Sequence, residues 1–135
     1  MLAMIDTSTE TLLCELLATC MDTNHIASEL AAHARQEPLR LLLEDRAASY
    51  RRAARTLRDS GGTGAPEDFA ASLSIDREAE LADVESVWEA VECSALICFR
   101  DALDAELPTE LQKAVRGWIE EGVSALERLR SLPAS

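Results

Sequence analysis

Residues able to hold a metal fall in two places. The first is Asp22, His25, Glu29 and His33. Asp22-x-x-His25 has the i, i+3 spacing that sets two ligands on one helical face. Glu29 lies four residues from each histidine and shares their face. Two imidazoles and two carboxylates in one segment could hold a metal at its surface, and the bland alternative is a solvent-facing polar stripe opposite the apolar one. The second place is Glu85, Glu89 and Glu92, a line of carboxylates at i, i+4, i+7. Such a line is either an exposed acidic face or half of a buried site completed by other helices. Glu120, Glu121 and Glu127, or Glu44 and Asp45, would have to supply that other half. A di-metal bundle site uses Glu-x-x-His on two helices, and that motif is absent. Oxygen-only coordination would suit magnesium, calcium or manganese.

Covalent chemistry has less support. There is no Gly-x-Ser-x-Gly and no Walker loop. Gly61-Gly62-Thr63-Gly64 lacks the following lysine. Cys14 and His25 share a helical face but stand about 16 Å apart along it. Cys14 and Cys20 are six residues apart and Cys93 and Cys98 five, so neither pair shares a face, and no CxxC occurs. The cysteines read as small buried hydrophobes with inert thiols, the alternative being a disulfide between helices.

These residues must be carried by helices. The chain has 135 residues, 47% of them hydrophobic but only 4% aromatic, so its apolar content is mostly Ala and Leu. Five Gly and four Pro leave few breaks. A formal net charge of −12 argues against nucleic acid and against an anionic membrane surface. No apolar run approaches the roughly 18 residues of a spanning helix. MLAMIDTSTE does not read as a signal peptide, and a cytoplasmic location is expected.

The apolar spacing predicts an antiparallel four-helix bundle, one domain over 1–135, with helices at about 7–34, 38–59, 74–105 and 109–131 and a loop at 60–73. Thr7 with Glu10, and Thr109 with Gln112, have capping-box spacing. The polar run Met21-Asp22-Thr23-Asn24-His25 suggests a kink in the first helix. Pro38 suits the first turn of the second. Leu39, Leu43, Tyr50, Ala53 and Leu57 make its stripe, and Ser60 to Pro66 ends it. Phe69 and Leu73 suggest a short turn over one end of the core. The third stripe is Leu81, Val84, Trp88, Val91, Ala95, Cys98 and Ala102, widened by Val87, Phe99 and Leu103. The fourth is Leu111, Val115, Trp118, Ile119, Val123, Leu126 and Leu129. At 22 to 30 residues these helices would be roughly 33 to 45 Å long, and the short connections near 36 and 107 make their helices antiparallel neighbours.

Charge is unevenly spread. Arg35 to Arg58 holds seven Arg against three acidic residues, and Glu67 to Glu110 holds thirteen acidic residues against Arg77 and Arg100. A basic second helix and an acidic third can attract one another within the bundle or across a twofold dimer. A sharper alternative is a phosphate-binding stripe at Arg51, Arg55 and Arg58.

Glu92, the run Phe99-Arg100-Asp101-Ala102-Leu103 and the elbow Leu107-Pro108-x-Glu110 carry a resemblance. From Trp88 onward the chain resembles the last two helices of an uncharacterised bacterial family of ferritin-like four-helix-bundle proteins. The likeness extends more weakly to Tyr50, Gly61-Gly62 and Asp22. In the family's pattern a second Glu follows one turn after the position of Glu92, where this chain has Ala95 and Leu96. A histidine near the end is Leu126 here, and a tyrosine is Phe99. Glu121 matches. The resemblance therefore implies a ligand set reduced to Glu92 and Glu121, too few for a buried di-iron centre.

The expectation is a non-catalytic ferritin-like bundle with no catalytic, cofactor-binding or metal residues. It would act through self-association as a homodimer, in a setting such as a stress response. Two alternatives stand beside it. One is a metal-binding or oxidoreductase protein using Glu92 and Glu121, and the other is an acidic helical adaptor for a basic protein partner.

Overall fold

The structure, a computed structural model, describes residues 7–61 and 83–132. Four α-helices account for almost all of them: α1 (Thr7–His33), α2 (Glu37–Asp59), α3 (Val84–Asp104) and α4 (Thr109–Arg130). They pack as an all-α four-helix bundle in which α1 touches α2 and α3, and α4 touches α3 and α2. Helices α2 and α3 are therefore diagonal across the core.

The helix ends follow from local chemistry. Gln36 is extended (φ −92°, ψ 133°) and Pro38 sits in the first turn of α2, where its missing N–H would have no partner anyway. Gly61 closes α2 at φ 105°, a left-handed conformation open to glycine at little cost. Asp83 caps α3: its carboxylate accepts the Ser86 backbone N–H at 3.1 Å and the Ser86 hydroxyl at 2.6 Å. The third helix thus starts at Val84, ten residues later than the expected Ser74; Leu81, Phe69 and Leu73 lie outside the described residues. At the elbow, Gln112 donates its side-chain amide to the Leu107 carbonyl at 2.9 Å. Pro108 precedes the helix without a side-chain cap, so the expected Thr109–Gln112 box is replaced by this single bond. The side chain of Thr7, expected in the other box, also lies outside the described residues.

α1 runs unbroken from Thr7 to His33, so its polar run does not end the helix. The Thr23 hydroxyl donates to the Thr19 carbonyl at 2.6 Å and the Thr19 hydroxyl to the Glu15 carbonyl at 3.0 Å. Both threonines thereby satisfy their hydroxyls on carbonyls one turn back, within the helix.

Antiparallel pairing of α3 with α4 is fixed by Glu89–Arg130 at 3.2 Å near one end, Leu96 beside Gly122 in the middle and Phe99–Trp118 ring contact further on. Asp45 meets Arg128 at 3.5 Å. The early part of α2 and the early part of α3 therefore share one end of the bundle, and the two diagonal helices run in the same sense. The chain between residues 61 and 83 consequently joins opposite ends.

The core holds Leu13, Leu16, Leu17, Leu42, Leu43, Leu57, Trp88, Phe99 and Val115, all within 1% of full burial. Each leucine so buried stabilises by about 1.5–3 kcal/mol relative to exposure. Four aromatics form a chain through the centre: Trp88 to Tyr50 (6.4 Å, T-shaped), Tyr50 to Phe99 (6.2 Å, stacked) and Phe99 to Trp118 (5.6 Å, tilted). Val123, expected in the fourth stripe, is exposed. The inward position belongs to its neighbour Gly122.

Candidate functional site

On α2, Leu39, Leu43, Arg46, Tyr50, Ala53 and Leu57 are buried. Their spacing alternates four and three, the rhythm of one helical face. Arg46 is thus a cation at a core position. On α3 the buried face is Trp88, Glu92, Ala95, Phe99 and Ala102, with the same rhythm and an anion at its second place. Because α2 and α3 are diagonal, their inward side chains meet in the middle of the bundle. Long side chains span that gap where backbones cannot.

Arg46 donates from Nε to Glu92 Oε1 at 2.7 Å and from Nη2 to Oε2 at 3.3 Å. The Tyr50 hydroxyl donates a short hydrogen bond to Glu92 Oε2. The Arg46 guanidinium carbon also lies 5.0 Å from the centre of the Tyr50 ring, within cation–π range. Glu92 is 0% exposed and Arg46 3%. Both carboxylate oxygens therefore have charged or hydroxyl donors, and on the α4 side the backbone at Gly122 comes close. A Cβ at Gly122 would stand 2.7 Å from Leu96 Cδ2 and 3.6 Å from Glu92 Oε2. Glycine at 122 gives Leu96 and Glu92 their room.

Electrostatics agree with this closed arrangement. Burial lowers the affinity of Arg46 for its proton, but the hydrogen bond and charge of Glu92 more than offset it, and the net shift is upward. Burial, then the charge and hydrogen bond of Glu92, push the Tyr50 hydroxyl well above the ordinary tyrosine range. The cluster is a guanidinium, a carboxylate and a neutral phenol. Coulomb attraction at about 4 Å is roughly 4 kcal/mol for an effective dielectric of 20. Desolvating each ion costs several kcal/mol. Attraction of that size does not exceed the cost of desolvating both ions, so the pair adds little net stability, but separating the two charges inside the core would leave each one buried and unpaired.

The other residues expected to do chemistry are scattered. Glu92 does not sit on an exposed acidic face with Glu85 and Glu89. It turns inward because Arg46 and Tyr50 neutralise it, while Glu89 pairs with Arg130 at the surface. Glu121, Glu120 and Glu127 are exposed on α4, so the two carboxylates of the reduced ligand set, Glu92 and Glu121, are one buried and one in solvent. Glu44 and Asp45 are exposed, and Asp45 is held by Arg128. On α1, His25 Nε2 is 3.9 Å from Glu29 Oε2. Asp22 is half-buried, and burial raises its pKa against the pull of His25. His33 is exposed. Among the described residues no group of three or more His, Cys, Asp or Glu is placed to hold a metal ion.

None of the four cysteines is in a disulfide. Cys98 lies 3.4 Å from the Thr19 hydroxyl, and burial pushes both Cys20 and Cys98 upward in pKa, away from reactive thiolate. Of the arginine stripe Arg51, Arg55 and Arg58, the first two are exposed and Arg58 turns to the Met21 sulfur, while Arg52 beside it turns to Ser49. Arg46 is the central residue that sequence reading passed over. Its signal was the unbroken four-three spacing from Leu39 to Leu57, in which position 46 had to face inward. No helix among the described residues is long and apolar enough to cross a membrane. No protein-family model matches the chain, and none of the curated proteins matches it.

Proposed function

We propose that this protein is a non-catalytic helical bundle, ferritin-like in topology, that works by associating with a second copy of itself. The observation that carries the reading is the full burial of Glu92 with both of its oxygens engaged by Arg46 and Tyr50. A carboxylate that holds a metal or moves a proton needs an open lone pair and a path for its ligand. Here the donors come from the protein itself, and the interior is left to hold the helices together. Function then falls to the surface. The single long connection between opposite ends, at residues 61 to 83, supports the ferritin-like topology. Cysteines outside any disulfide are compatible with a reducing, cytoplasmic setting.

Two measurements test the reading. Sedimentation at ~100 μM protein in low salt is expected to give a dimer, since weak self-association is populated at such concentrations. A monomer there overturns the associative role. Elemental analysis of protein purified without chelator is expected to find iron, manganese and zinc well below one per chain. Near-stoichiometric iron or manganese that disappears in Glu92→Ala overturns the non-catalytic role.

A further inference from the structure

The outward ridge of α2 is charged in a self-complementary way. Take Ala48, half-buried on that ridge, as the centre. Three and four residues before it stand Asp45 and Glu44. Three and four residues after it stand Arg51 and Arg52. Seven before is Leu41, half exposed, and seven after is Arg55. Offsets of three, four and seven all fall on one helical face. The ridge therefore runs from acidic to basic through a small residue.

Neither the helix nor the bundle explains the whole of this pattern. The macrodipole favours acids and bases only in the end turns, and residues 44 to 52 are in the middle of α2. Pairing within the helix needs an opposite charge at three or four residues. At those distances Asp45 finds only Leu41, Leu42, Ala48 and Ser49, while Glu44 has Arg40 one turn back, in the weaker base-before-acid order and with Arg40 lying 3.7 Å from Glu37. Within the bundle Asp45 reaches Arg128 at 3.5 Å with both side chains more than half exposed, and Arg52 reaches only the Ser49 hydroxyl. A groove of about 540 Å³ beside the ridge, walled on the α1 side by Ala31, Ala32 and Ala34, leaves room for a second helix to approach.

We infer that a second copy of this chain docks antiparallel along α2, about a twofold axis at Ala48. This rests on the self-association proposed above and names its surface. An antiparallel pair sets each residue opposite the one equally far on the other side of the centre. Glu44 meets the partner's Arg52 and Asp45 meets the partner's Arg51, and the twofold axis makes each contact twice. The two Ala48 residues allow close approach at the axis. Leu41 lies under the aliphatic stem of the partner's Arg55. The net charge of −12 on each chain opposes the encounter, but long-range repulsion is screened beyond about 8 Å at physiological salt, whereas these pairs are in contact.

Charge reversal on the exposed ridge tests the inference without touching the core. Sedimentation equilibrium in about 0.15 M salt is expected to show association weakened by about tenfold or more in Glu44→Arg and in Arg52→Glu, since each places like charges opposite twice. An equimolar mixture of the two variants, and the double variant Glu44→Arg/Arg52→Glu, are expected to recover it, because both restore opposite charges at every contact. Glu110→Arg on α4 is the control and is expected to leave association unchanged. Circular dichroism verifies that each variant is folded. A wild-type dimer indifferent to both single reversals, or single losses that neither mixture nor double variant rescues, overturns this interface while leaving self-association standing. A wild-type monomer overturns both.

Discussion

Tyr50 is the chain's single tyrosine, and its hydroxyl is committed to Glu92. Burial and the neighbouring carboxylate raise its pKa above the ordinary value of 10.0. The folded state therefore keeps a proton that the unfolded chain releases near pH 10. Stability from this source is intact below that pH and falls as pH rises beyond it. Expected outcomes are an alkaline loss of stability that Tyr50→Phe reduces, and no phenolate absorbance until the protein unfolds. Phenolate appearing near pH 10 with the helices intact would place Tyr50 at the surface. At neutral pH, Tyr50→Phe is expected to destabilise by about 1–3 kcal/mol, the cost of leaving a buried acceptor short of one donor, measured by urea denaturation. Much of this site was legible at the level of single residues. Tyr50, Trp88 and Phe99 read as core from their spacing. Arg46 did not, because arginine is rarely buried without a partner and its partner lies 46 positions away in sequence. Glu92 was placed one step wrong. Val91 has the more apolar side chain, yet the face that continues from Trp88 to Ala95 runs through Glu92.

At the scale of the element, periodicity located α1, α2 and α4 to within a residue or so, since each carries a continuous stripe between clear breaks. The start of α3 was not legible. Residues 74 to 82 are compatible with a helix, and what ends the ambiguity is Asp83 accepting from Ser86, a local bond that apolar spacing does not report. Those hydrogen bonds also hold the Asp83 carboxyl below its usual range. Asp83→Ala is expected to lose hydrogen-exchange protection in the first turn of α3 while the rest of that helix keeps its own. Further along, Trp88 is fully buried against Tyr50. Trp88→Ala is expected to cost about 3–5 kcal/mol, typical of a large aromatic removed from a core. A loss below about 1 kcal/mol in urea denaturation would contradict the burial of this helix face.

For the whole molecule, the bundle joins two antiparallel helix pairs, α1 with α2 and α3 with α4, and the Arg46–Glu92 bond locks them across the diagonal. The uneven charge legible in the sequence has two distinct outcomes. One arginine of the basic helix is spent inside, and Arg51, Arg52 and Arg55 lie on an exposed ridge whose other half holds Glu44 and Asp45. The proposed dimer is expected to weaken as salt rises from about 0.1 to 1 M, where the Debye length falls from about 10 to 3 Å. The central claim is that the buried carboxylate is closed by its own protein and serves the fold. Its most direct test is a double-mutant cycle on chemical stability, repeated with chelator and with added manganese or iron. Arg46→Met is expected to lose about 3–5 kcal/mol, because it strands a buried charge, and Arg46→Met/Glu92→Met to recover most of that by removing both ions. None of these values is expected to move with metal. A wild-type protein stabilised by manganese or iron, with that stabilisation lost in Glu92→Met, would contradict the account.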